Sequence, residues 1–69
     1  MYIVSRFVNS MRSAVWECYT KEEAHKLYSQ EVIMFSRLGF EVNEHTDTAW
    51  IFQPDTHKLV GLVSKRKED

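Results

Sequence analysis

The sequence predicts an α+β domain of order ββαβββ, a sheet of four to five mostly antiparallel strands with one helix packed on one face. Three observations lead there. The stretch Thr20 to Gly39 carries a helical apolar period and a terminating signal at each end. The segments on either side of it change to the two-residue alternation of strands. The link between the first two strands is short, which argues for an antiparallel hairpin. The 69 residues make a single domain, 1–69, and a domain of that size buries only about 60% of the surface its unfolded chain exposes.

Taken in order, Tyr2 to Asn9 is rich in strand formers. Tyr2, Val4 and Val8 alternate with Ile3 and Phe7, so both faces are apolar and a central strand is expected. Asn9 and Ser10 supply turn chemistry, and Ala14 to Tyr19 reads as the second arm of a hairpin. In that arm Ala14, Trp16 and Cys18 lie opposite Val15, Glu17 and Tyr19. The helix follows. Thr20 and Glu23 have the spacing of a capping box, in which the threonine oxygen accepts from the Glu23 N–H. Gly39 suits the left-handed position after the last turn, and Phe40 is the apolar residue that folds back on it. Ala24, Leu27, Tyr28, Glu31, Phe35 and Leu38 define one helical face, which is expected to pack on the sheet.

Beyond Gly39, Phe40 and Val42 alternate with Glu41 and Asn43, a half-buried strand. A turn is expected over 45–47. Ala49 to Gln53 is the next strand, with Trp50 and Phe52 opposite Ala49 and Ile51. Pro54-Asp55-Thr56 is a turn, since proline pre-sets φ and aspartate bonds its own backbone. Lys58 to Ser64 is the last strand, with Gly61 a point of bulging or close approach. The tail 65–69 is expected to be solvated and frayed.

Composition narrows the function. Nine aromatics, 43% hydrophobic residues and two glycines describe a folded chain rather than a disordered one. Cys18 is the single cysteine, so no disulfide forms within the monomer and a reducing compartment, the cytoplasm, is expected. No apolar run reaches the roughly 18 residues of a membrane span, and Met1 to Ser10 lacks the core of a signal peptide. The net charge is −1, with +1 over residues 1–19, −2 over 20–44 and 0 over 45–69. No segment has the excess of one sign that drives binding to a phosphate backbone.

Motifs of catalysis and cofactor binding are not found. Cys18, His25, His45 and His57 are scattered without the close pairs a metal site uses. Cys18 stands two residues before the cap, where a helix N-terminus lowers a thiol pKa, but its alternation with Trp16 points it into the core, where burial raises it. The adjacent Glu22 and Glu23 favour the helix dipole rather than acid–base work. No catalytic, cofactor or metal residues are therefore assigned.

The apolar supply exceeds what one helix on one sheet hides. Val32, Ile33 and Met34 span about 200° of the helix circumference and cannot all face the sheet with Leu27, Phe35 and Leu38. Trp16 and Trp50 add bulk on the strands. A non-enzymatic binding or regulatory protein is expected, acting on another protein through Val32, Ile33, Met34, Trp16 and Trp50, with a homodimer as one form of partnership. A short chain beginning in a strand at Met1 also looks like a phage or mobile-element inhibitor of a host protein. The alternative is a nucleic-acid-binding module. Arg6, Arg12, Lys58, Lys65, Arg66 and Lys67 would gather if the first and last strands are neighbours, and Trp16, Tyr19 or Trp50 would stack on bases. A sequence pI near 6.3 weighs against it.

Overall fold

In the computed structural model, which describes residues 1–68, the order is β1 (Tyr2–Val8), β2 (Met11–Cys18), α1 (Lys21–Arg37), β3 (Glu41–Glu44), β4 (Thr48–Phe52) and β5 (Leu59–Lys67). The five strands form one sheet of order β2-β1-β5-β4-β3, antiparallel at every pairing. The first and last strands are thus neighbours near the middle, and β2 and β3 are the edges.

That topology dictates the course of the helix. It leaves one edge strand and must deliver the chain to the other, about 19 Å away across four strand spacings. Its 17 residues reach about 25 Å, enough to cross the sheet diagonally. In doing so α1 covers one face only. The core between them is small: Val4, Cys18, Ala49, Ile51 and Val63 from the sheet, with Ala24, Tyr28 and Phe35 from the helix.

Both helix ends form as their residues dictate. Thr20 has an extended backbone, and its Oγ1 accepts from the Glu23 N–H at 3.1 Å. At the other end Gly39 takes φ +96°. The Gly39 N–H donates to the Ser36 carbonyl and the Phe40 N–H to the Phe35 carbonyl, each at 3.1 Å, the paired bonds of a Schellman motif. Phe40 then packs edge-on against Phe35, ring centroids 5.9 Å apart.

Four expectations need correction. Leu38 is 65% exposed, because it is the C-cap residue and Phe40, returning under Phe35, takes the apolar place beside the last turn. Trp16 does not belong to an apolar surplus. Tyr28 is in the core, its hydroxyl donating to the His45 carbonyl at 3.3 Å, and Trp16 packs against the core from β2. The β1–β2 link is only Asn9-Ser10, both at positive φ, the geometry of a two-residue hairpin turn, so β2 starts at Met11 and not Ala14. Finally, Lys65, Arg66 and Lys67 are strand, paired with Val4, Ile3 and Tyr2. Ladder bonds use backbone groups, and β1 at the middle of the sheet offers its full length regardless of the charges that β5 carries.

Gly61 is a point of close approach, as its position suggested. A Cβ there would lie 3.0 Å from the Phe7 carbonyl oxygen. The register with β4 shifts beside it, between Ile51 and Phe52.

Candidate interaction surface

Strand parity sorts every sheet residue onto the helix side or the open side. Val4 pairs with Trp16 on one neighbour and Lys65 on the other, and Ala49 pairs with Val63. These residues face the helix. Their sequence neighbours face away, towards no other element among the described residues.

The open face is ordered in cross-strand rows. Phe7 pairs with Leu62, Leu62 with Trp50, and Trp50 with Asn43, which lays three large apolar side chains side by side across three strands. The adjacent row is Val15, Ser5, Ser64 and Thr48. The next is Glu17, Ile3 and Arg66. Phe52, paired with Leu59 and Glu41, extends the face past Trp50. Trp50 is 36% exposed, Val15 47% and Leu59 50%, large values for apolar side chains on a sheet. Arg12, Glu17, Glu41 and Arg66, all exposed, ring this apolar centre, the arrangement of an interface core with a polar rim.

At one end of the apolar row lies a cavity of 260 Å³ between Phe7, Leu59, Gly61 and Leu62 and the Asn9-Ser10 turn. It is smaller than the roughly 300–1,000 Å³ of small-molecule sites and of a size for one inserted side chain. The whole face measures about 19 Å across the strands and roughly 24 Å along β1. That is about 450 Å² in projection, more than half of the ~800 Å² that one side of a standard protein interface buries.

The predicted partner residues do not form one surface. Val32 and Met34 pack against the core, while Ile33 between them is 49% exposed on the outer side of the helix. With Gln30, Met34, Arg37 and Leu38 it borders a shallow groove. Trp16 and Trp50 lie on opposite faces of the sheet. Trp16 sits beneath the Arg6 guanidinium, 5.7 Å from its ring centroid. Only Trp50 belongs to the open face. Alternation put Ile3 with Phe7 on one face of their strand and Val15 opposite Trp16 on theirs, but only the strand order brings them, with Leu62, to the side of Trp50.

The basic residues are also dispersed, although β1 and β5 are neighbours. Arg6 points under the helix and is bound at 2.9 Å by Glu31, and its Nε donates to the Ser13 hydroxyl. This explains the carboxylate on the inner face of the helix. Arg12 is on the edge strand and Lys58 follows the β4–β5 turn at the opposite end of the molecule from Lys65–Lys67. Lys65, Arg66 and Lys67 alone stay together.

Burial, aided by the nearby Glu23 carboxylate, pushes the Cys18 thiol up from its ordinary pKa, the condition of an unreactive core cysteine. His25, His45 and His57 are exposed, His57 with its Nδ1 3.2 Å from Glu41. Among the described residues no three of His, Cys, Asp and Glu come close enough to hold a metal ion, and no helix is long and apolar enough to cross a membrane. No protein family, curated protein or solved structure matches the chain.

Proposed function

We propose that this chain is a non-catalytic protein-binding module whose working surface is the open face of the sheet. The observation that carries the reading is the row Phe7–Leu62–Trp50 in the middle of a sheet face that no other described element covers, Trp50 exposed and Phe7 and Leu62 half-buried, ringed by Arg12, Glu17, Glu41 and Arg66. Exposed apolar surface concentrated in one patch marks binding sites more often than it occurs by chance. Aromatic anchors at a patch centre carry a disproportionate share of binding energy. Trp50 would be that anchor, and the neighbouring cavity would receive a side chain from the partner. Binding of this kind regulates the partner by occupying its surface.

A photoreactive phenylalanine analogue at position 50, compared with one at position 33, tests the assignment in the producing cells. Position 50 should give a discrete protein adduct, lost in the Leu62→Lys background, while position 33 gives none. Adducts at position 33 alone would move the interface to the outer side of the helix. If Ile33→Asp then abolished association while the fold persisted, the open-face assignment would fall. A homodimer is read from the mass of the adduct.

A further inference from the structure

The cations that remain together do so at a cleft the strand lengths create. β5 runs past the start of β4: Ser64 is paired with Thr48 and the Lys65 N–H still reaches the Asp47 carbonyl, but Arg66 and Lys67 extend beyond with β1 alone beside them. The space left between the end of β5, the first turns of α1 and the β3–β4 turn is a cleft of 550 Å³ lined by Tyr2, Lys21, Ala24, His25, Thr46, Asp47, Lys65, Arg66 and Lys67. Four of the chain's nine lysines and arginines line it, against the single carboxylate of Asp47. In a chain of net charge −1 that concentration does not follow from composition.

Three of these four cations have no carboxylate partner among the described residues. Among the described residues Arg66 is paired, with Glu68 at 3.0 Å, but no carboxylate lies within 4.0 Å of the Lys21, Lys65 or Lys67 ammonium. Lys65 is instead positioned by groups that leave its charge uncancelled. Its Nζ lies 2.9 Å from the His25 Nδ1 and 4.9 Å from the centroid of the Tyr28 ring, and its backbone N–H donates to the Asp47 carbonyl. Lys67, two residues on, projects from the same side of β5, and Lys21 opens the helix alongside. Tyr2 and Ala24 add an aromatic ring and an apolar wall.

We propose that this cleft binds a nucleoside polyphosphate, its phosphates held by Lys21, Lys65 and Lys67 and its base against Tyr2. Lysine ammoniums act on phosphate as point charges and need no fork geometry. The volume lies within the range of small-molecule sites. The cations converge on a pocket at one end of the molecule and do not form a track, which favours a compact polyanion over a nucleic-acid strand. Lys65 and Lys67 lie on the helix side of the sheet with Lys21, and only Arg66 is shared with the rim of the open face, so the proposal stands independently of the function proposed for that face.

Titration calorimetry on the intact chain tests this with ATP, tripolyphosphate, adenosine and a single-stranded DNA 10-mer. ATP should bind with tripolyphosphate several-fold weaker and adenosine at least tenfold weaker, and its affinity should fall as salt rises. The Lys21→Gln/Lys67→Gln variant should lose tenfold or more in ATP affinity with an unchanged circular dichroism spectrum. Both side chains are exposed, and Lys67→Gln alone, with a smaller loss, serves should the pair disturb folding. Lys58→Gln should bind as the parent does. No binding of ATP at millimolar concentration, or equal binding by parent and double variant, would overturn the proposal. Tripolyphosphate equal to ATP would overturn the nucleoside part, and tighter binding of the 10-mer would reassign the cleft to nucleic acid.

Discussion

Phe35 ties the helix to the sheet, and its removal measures how much of the fold depends on that contact. The residue is 8% exposed and meets Phe40 edge-on, with an interplanar angle of 76°. Truncating a buried phenylalanine to alanine costs about 3–5 kcal/mol. A domain of 69 residues has only about 3–10 kcal/mol of stability in total. Phe35→Ala should therefore lower the melting temperature by about 15 °C or more, or leave the chain unfolded at 25 °C. Phe35→Leu refills most of the volume and should cost only about 1 kcal/mol, so it gives a folded variant if alanine does not. Urea denaturation followed by circular dichroism supplies the free energies. A cycle with Phe40→Ala, built on Phe35→Leu, should show a coupling of about 0.5–1.5 kcal/mol from the ring pair. If Phe35→Ala lowers the melting temperature by less than about 4 °C, less than 1 kcal/mol is at stake and the helix does not pack as described. Additivity in the cycle would remove Phe40 from the helix stop.

The helix ends and the buried tyrosine yield further expectations. Thr20→Ala should destabilise by about 0.5–2 kcal/mol through the lost bond to the Glu23 N–H. Gly39→Ala should cost about 1–2 kcal/mol, since a Cβ disfavours φ +96°. Chemical denaturation checks both, and a neutral result in the pair would misplace the helix boundaries. Burial first, then the Glu44 and Asp47 carboxylates, push the Tyr28 phenol up to about 12, against about 10 in the unfolded chain. The folded pKa is the higher one, so the stability this tyrosine contributes is complete below pH 10 and is lost between about pH 10 and 12, where the unfolded chain ionises first. Denaturation at pH 9 and pH 11 should show the parent losing about 1 kcal/mol more than Tyr28→Phe. An equal loss in both would mean that Tyr28 is hydrated.

The parts of this fold legible in the sequence are those decided by residues a few positions apart. Thr20 and Glu23 make a cap because they are three residues apart, and Gly39 with Phe40 and Phe35 closes the other end within five. Period two located all five strands, though not the start of β2 or the end of β5, and sorted the first four into two faces, because successive side chains of a strand must point to opposite sides. Alternation says that Trp50 opposes Ile51. It does not say which of them meets the helix. Once the last strand had docked beside the first, the helix had to cross between the two outer strands on one side of the sheet. That choice put Trp16 half-buried under Arg6 and left Trp50 with Phe7 and Leu62 on the open side. The same pairing turned a charged tail into strand, since β1 supplied backbone partners that no local pattern in 65–67 announces. It also gathered Lys21 with Lys65 and Lys67, over forty residues apart in the chain. Local chemistry determined the elements and their ends, while long-range pairing decided which residues share a surface, because a surface is defined by neighbours in space that the chain brings together only on folding.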